Sequence, residues 1–193
     1  MIPIALDPRF SRLAVAGRGP LARRRYRALR AGGAEDALWF NDQPDDAAIA
    51  GAGQGLRRFL PDGEAMAALD VLWIVGLAEA EGEALATAAR AAKVLVNLED
   101  RPRFCDFHAV AEVRRGDLLL TISTNGRAPG LAGLIRRRLE AEFGPEWQER
   151  VGEIGAMRAS WQREGVSMPE AARRIGEIVR ERGWLPPGEK EEG

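Results

Sequence analysis

At 193 residues, with 46% hydrophobic and 30% charged side chains, the chain has room for one ordinary domain and a smaller second element, and it is too apolar for wholesale disorder. No run approaches the roughly 20 uncharged apolar residues of a bilayer span, and MIPIALDPRF lacks the apolar core of a secretory signal; a cytoplasmic protein with no membrane partner is expected. The single cysteine, Cys105, excludes an internal disulfide, and with His108 the only histidine no structural metal cluster is expected.

A formal net charge of −1 conceals segregation. Residues 9 to 30 hold eight arginines and no acid, and residues 101 to 140 hold eight arginines against Asp106, Glu112, Asp117 and Glu140, while the segment between is acidic. Arginine's planar fork suits carboxylate or phosphate, although a GC-rich coding bias yields the same preference. The basic stretches come with no recognition helix and no aromatic platform, so a nucleic-acid partner is not expected.

In chain order, RLAVA at 12–16 reads as a strand that breaks at Gly17-Arg18-Gly19-Pro20-Leu21-Ala22 into a helix closed by Gly32-Gly33. DALWF at 36–40 reads as a second strand, followed by the polar stretch NDQPDD and a glycine-rich loop through Gly55. LRRFL at 56–60 reads as a short third strand. DVLWIVG at 70–76 is a continuous apolar run, as expected of a strand buried on both faces, and residues 79–92 have helical composition. KVLVNL at 93–98 supplies the fifth strand. This alternation implies βαβ units and a parallel sheet. Beyond residue 100 the pattern changes: DLLLTIST at 117–124 is a strand, LAGLIRRRLEAEF an amphipathic helix, and the last fifty residues read as helices with Pro145 and Pro169 near their starts. Those helices have few partners within the chain, and dimerisation is the economical way to bury them.

The expected architecture is therefore α/β: a Rossmann-like doubly wound parallel sheet over 1–113, a small mixed dimerisation region over 114–144, a C-terminal helical region over 145–185 and a flexible tail at 186–193. The boundary falls near 112–116.

Gly17-x-Gly19-x-x-Ala22 matches the dinucleotide fingerprint in its G-x-G-x-x-A form, between a strand and a helix. Gly17 permits the turn, Gly19 lets backbone approach a pyrophosphate, and Ala22 lets helix and sheet pack closely. Amides at the helix N-terminus face the anion, one of them removed by Pro20, with Leu21 in the same turn. The ribose-binding acid belongs about 20 residues on, where Asn41 and Asp42 stand; Asp42 favours NAD. The alternative is a tight turn that binds no nucleotide.

Asn97-Leu98-Glu99-Asp100 ends a parallel strand, where the ligand crevice of an open α/β sheet lies. Asp100 is a candidate general base or transient metal ligand, or simply a turn cap before Arg-Pro. Arg114 and Arg115, and then Ser123, Thr124, Asn125, Gly126 and Arg127 before a helix bearing Arg136 to Arg138, suit a polyanion, or else form a solvated face and an Asn-Gly turn. Cys105 and His108, flanked by Phe104 and Phe107, read as a packed segment. The tryptophans read as core and interface.

The glycine turn, VNLEDRPRFCDF at 96–107 and VRRGDLLLTISTNGRAPGLAGLIRRRLE at 113–140 resemble the precorrin-2 dehydrogenase/sirohydrochlorin ferrochelatase family of sirohaem synthesis. The resemblance implies an NAD-binding domain, a homodimer, and NAD-dependent removal of hydride and proton from precorrin-2 to give sirohydrochlorin, into which some members also insert ferrous iron. It places the family's aspartate on Asp100, in a pattern starting at Asn97, and its serine or threonine on Thr124. The chain departs from the family pattern by Arg18 between two glycines, by Leu77 and Ala78 where a threonine is usual, and by Val110 where a proline is usual. Two readings stay open: an enzyme, or a tetrapyrrole-binding member without dehydrogenase activity.

Overall fold

The apolar runs Leu13–Gly17 (β1) and Val71–Val75 (β4) are buried along their whole length, as strands covered by helices on both faces must be. In the computed structural model, which describes residues 2–186, they are the centre of a five-stranded, all-parallel sheet. Leu38–Phe40 (β2), Leu56–Arg57 (β3) and Leu95–Leu98 (β5) complete it in the order β3-β2-β1-β4-β5. The tail expected at 186–193 lies outside the described residues from 187 onward.

Alternate side chains of each strand feed two cores. Leu13, Val15, Trp39, Val71, Trp73 and Val75 pack with Ala22 and Tyr26 of α1 (Gly19–Ala31) and with Ala48 and Ala52 of α2 (Asp46–Ala52). Ala14, Ala16, Phe40, Leu72, Ile74, Val96 and Leu98 pack on the other face with Met66 of α3 (Gly63–Ala67) and Ala86 and Ala89 of α4 (Glu79–Ala91). Each large side chain so buried contributes about 1.5–3 kcal/mol. This is the doubly wound α/β arrangement expected.

Three segments differ from their sequence reading. The stretch 41–55, read as polar and glycine-rich loop, contains α2: Asp45 stands at its N-cap and accepts the Ala48 amide at 2.7 Å, so the "polar stretch" is partly a helix start. Residues 63–67, unassigned, form α3, capped in the same way by Asp62. Residues 111–115 form a strand.

The chain divides into two compact units between Ala109 and Val110, a few residues before the expected position. The second unit opens on that strand, Ala111–Arg115 (β6), paired antiparallel with Leu118–Ile122 (β7) through a turn in which Gly116 has a φ of 57°. Pro129–Glu142 (α5), Trp147–Arg163 (α6) and Met168–Glu181 (α7) follow. Among the described residues of this unit only Val113, Ala132 and Ala171 are buried apolar side chains. Leu131, Leu134 and Ile135, at helical spacing on α5, are exposed.

Candidate functional site

In the first unit the chain runs from β1 through β2 and β3 to one side of the sheet and then returns to lay β4 and β5 on the other, so strand order reverses between β1 and β4. Ligands of open α/β sheets bind at the carboxyl ends of strands at such a reversal. There β1 ends in Gly17 and β4 leads into Gly76. A Cβ on Gly17 would stand 1.7 Å from the Val75 carbonyl oxygen, and one on Gly76 2.4 Å from that of Arg18. The Arg18 amide donates to the Val75 carbonyl at 3.3 Å, and the indole Nε1 of buried Trp39 donates to the Gly17 carbonyl at 2.9 Å. The two turns are thus locked backbone to backbone. Gly19 has a φ of 73° and only open space where a Cβ would stand. A tight turn, a left-handed glycine facing open space and a helix N-terminus with Pro20 in its first turn form a cradle that fits a pyrophosphate.

Arg18 gives that cradle an unusual centre. Its Nε and Nη2 donate to the two oxygens of Asp42 at 2.7 Å each, while Nη1 and Nη2 donate to Glu81 in the first turn of α4 at 2.7 and 2.8 Å. The guanidinium therefore bridges the end of β2 to the start of α4 across the glycine turn. Hydrogen bonding to Arg18 is the main cause holding the Asp42 carboxyl below its ordinary range, and the two carboxylates raise Arg18 in turn. Asp42, expected to stand ready for a ribose, is engaged by Arg18. Glu81 was not foreseen; it lies 63 residues away in sequence.

Asn97 and Asp100 come together at the carboxyl end of β5. Asp100 is exposed, sits in the left-handed region with a φ of 60°, and lines a cavity of about 260 Å³ with Arg25, Asn97, Cys105 and His108. The cavity wall is a strap that folds back on β5. Asn97 Nδ2 donates to the Phe107 carbonyl at 2.8 Å, and the Val96 amide donates to Asp106 at 2.9 Å. The Cys105 thiol donates to the Leu98 and Arg101 carbonyls, and burial pushes it above its ordinary range; this is a structural cysteine. Phe104 and Phe107 pack on opposite faces of the sheet. His108, read from sequence as packing, lines the same cavity as Asp100; nothing local to its position signals that the strap turns back. A larger cavity, about 480 Å³, lies at the amino ends of β1 and β2, away from both turns.

The remaining candidates belong to the second unit. Ser123 and Thr124 accept the amides of Asn125 and Ala128 at 3.2 Å, shaping the turn in which Asn125 and Gly126 take φ values of 55° and 72° before α5. Arg127 donates its amide to the Thr124 carbonyl. Arg114 lies 3.8 Å from Glu112, and Arg115 donates to the Phe143 and Glu140 carbonyls at the end of α5. Arg136 pairs with Glu140.

Parallel sheet, reversal point and glycine cradle define a dinucleotide-binding protein of the Rossmann type. A family model described as "Putative NAD(P)-binding" matches residues 4–111, more than half of the chain, and the chain belongs to that family. A second, "Sirohaem biosynthesis protein central", matches residues 115–142. The chain is 38% identical over 82 residues to the siroheme biosynthesis protein met8 of Schizosaccharomyces pombe, covering 42% of this chain and 31% of that one. To siroheme synthase of Nitrosococcus oceani it is 30% identical over 181 residues, 92% of this chain and 38% of the relative; siroheme synthase of Thiobacillus denitrificans is 29% identical over 182 residues, 84% and 37%. The chain thus spans less than two fifths of the length of these relatives. The structure of SirC, precorrin-2 dehydrogenase, has the same fold, with a TM-score of 0.74 and 20% identity over 97% of this chain and 93% of that one.

Proposed function

We propose that the chain is an NAD-dependent dehydrogenase that converts precorrin-2 to sirohydrochlorin in sirohaem synthesis. The observation that carries this reading is Asp100: a carboxylate at the carboxyl edge of the sheet, lining a cavity, in the same unit as a glycine cradle that fits a dinucleotide. Names of relatives on both matched segments support it, since siroheme synthases align with most of the chain. Bound NAD supplies the hydride acceptor. The chain's own residues do the rest. Asp100 accepts the proton lost from the macrocycle, its left-handed backbone being the local strain that a functional position tolerates. Asn97 holds the strap that closes the cavity, and Arg25 offers the cationic side chain there that a polycarboxylate substrate needs. The second unit, taken by itself, carries candidate anion donors in Arg114 and in the turn from Ser123 to Arg127, while the Arg115 guanidinium is engaged by the Phe143 and Glu140 carbonyls. The working form is a homodimer, because α5 carries an exposed apolar face on a unit with few buried side chains. Ferrous iron, where inserted, is a substrate, with Asp100 removing pyrrole protons.

Anaerobic mixing of the protein with precorrin-2 and NAD should generate NADH. Asp100→Asn should lower turnover by about 10²–10⁴-fold, the usual contribution of a general base, with NAD affinity unchanged. Tetrapyrrole binding without NADH formation by the unaltered protein would transfer the assignment to a carrier.

A further inference from the structure

A dinucleotide in an open α/β sheet runs across the carboxyl ends of the strands, its adenosine ribose at the end of β2 and its pyrophosphate over the first turn. An acid at the end of β2 takes the ribose 2′-hydroxyl of NAD and repels the 2′-phosphate of NADP; a nearby arginine reverses that choice. This chain has both groups, joined. Asp42 is the acid, and Arg18 holds both of its oxygens at 2.7 Å. The carboxylate that would reject a phosphate is therefore already neutralised by a cation standing in the glycine turn.

The fork is also free to change partners. Of the five N–H donors of a guanidinium, four go to carboxylates here, two of them to Glu81. Glu81 is 35% exposed, Asp42 32% and Arg18 23%, so both ion pairs are half-open to solvent, which limits what each contributes. Releasing Glu81 gives back two parallel donors, the number a phosphate takes in its bidentate mode. A second arginine reaches the same loop. Arg23, further along α1, donates to Asp45 at 2.9 Å, and its buried Nε has no hydrogen-bond partner among the described residues. A buried donor left unpaired points to an acceptor still to come.

We propose that Arg18, with Glu81 as its exchangeable counter-ion, sets the dinucleotide choice of this chain, so that the site takes NADP as well as NAD, the 2′-phosphate replacing Glu81 on the Arg18 fork. The proposal rests on the dinucleotide reading above and adds the specificity residue to it. Arg18 acts by binding the cofactor and takes no part in proton transfer.

The test is calorimetric titration of the full chain, and of its Arg18→Gln and Glu81→Gln variants, with NAD and NADP separately. The unaltered chain should bind the two within about tenfold of each other. Arg18→Gln should cost NADP at least about tenfold more affinity than NAD, because the bare Asp42 carboxylate then faces the phosphate. Glu81→Gln, an isosteric change at a half-buried side chain in the first turn of α4, should strengthen NADP binding several-fold relative to NAD. NAD binding with an NAD-to-NADP ratio that neither substitution alters would overturn this proposal and leave the dinucleotide reading intact. If the unaltered chain binds neither nucleotide, both fall.

Discussion

Gly17 and Gly19 share a motif but answer to different physics. A side chain at Gly17 meets the Val75 carbonyl oxygen at 1.7 Å, a collision with backbone that only separation of β1 from β4 can relieve. At Gly19 a side chain meets nothing in the fold, so the cost of one to stability comes from its φ of 73°. Gly17→Ala should therefore cost about 3 kcal/mol or more, and Gly19→Ala about 1 kcal/mol, the usual left-handed penalty. Urea unfolding midpoints of the two variants check the order; equal losses would show that close approach is not what Gly17 provides. The motif was legible in sequence because each glycine is a local conformational requirement. The ion bridge at its centre was not: Arg18 meets Asp42 and Glu81 across 24 and 63 residues, and no local pattern records which acid a long flexible cation will find.

At the scale of elements, alternation of apolar runs with helical composition placed the central strands of the parallel sheet, since buried parallel strands are written as unbroken apolar runs, while the short edge strand β3 covers only Leu56–Arg57 of the expected 56–60. What escaped were the short helices, α2 and α3, each under eight residues and each announced only by an aspartate cap. Asp45 links this level to the site, because it caps α2 through the Ala48 amide and also pairs with Arg23. Asp45→Ala should lower stability by about 0.5–2 kcal/mol, the ordinary loss of an N-cap, and reduce helix content at the far-ultraviolet minimum. An unchanged melting curve would mean that α2 is held by its packed alanines alone. The strap from 102 to 108 packs as its sequence suggests, through Phe104, Cys105 and Phe107, but its return over β5 is not visible in the sequence. Its hydrogen bonds to β5 come from Asn97, Val96 and Leu98, and they turn a segment read as packing into the wall of a cavity.

At the scale of the molecule, folding brings part of the segregated charge of the sequence together. Arg12 pairs with Asp70, Arg18 with Asp42 and Glu81, and Arg23 with Asp45, so three of the eight arginines of the first segment meet acids of the next. The Arg12 guanidinium and amide hold the Asp70 carboxyl down to about 2. The second unit has a deficit of apolar contacts. A unit with three buried apolar side chains among its described residues and an exposed Leu131, Leu134 and Ile135 has little core of its own. Leu134→Glu on that face should convert the sedimenting species from dimer to monomer; a monomer in the unaltered chain at micromolar concentration would dispose of the dimer.

Composition, periodicity and the glycine turn by themselves determined the class of fold, the places of its strands along the chain and the position of Asp100 at a strand end, because those features are set by neighbours within a few residues along the chain. Only the tertiary structure decided that Asp42 is already engaged, that Glu81 shares the Arg18 guanidinium with it and that His108 shares a cavity with Asp100. Each of these depends on which distant segments close upon one another, and that choice is made by burial of the whole sheet and not by any residue's own preference.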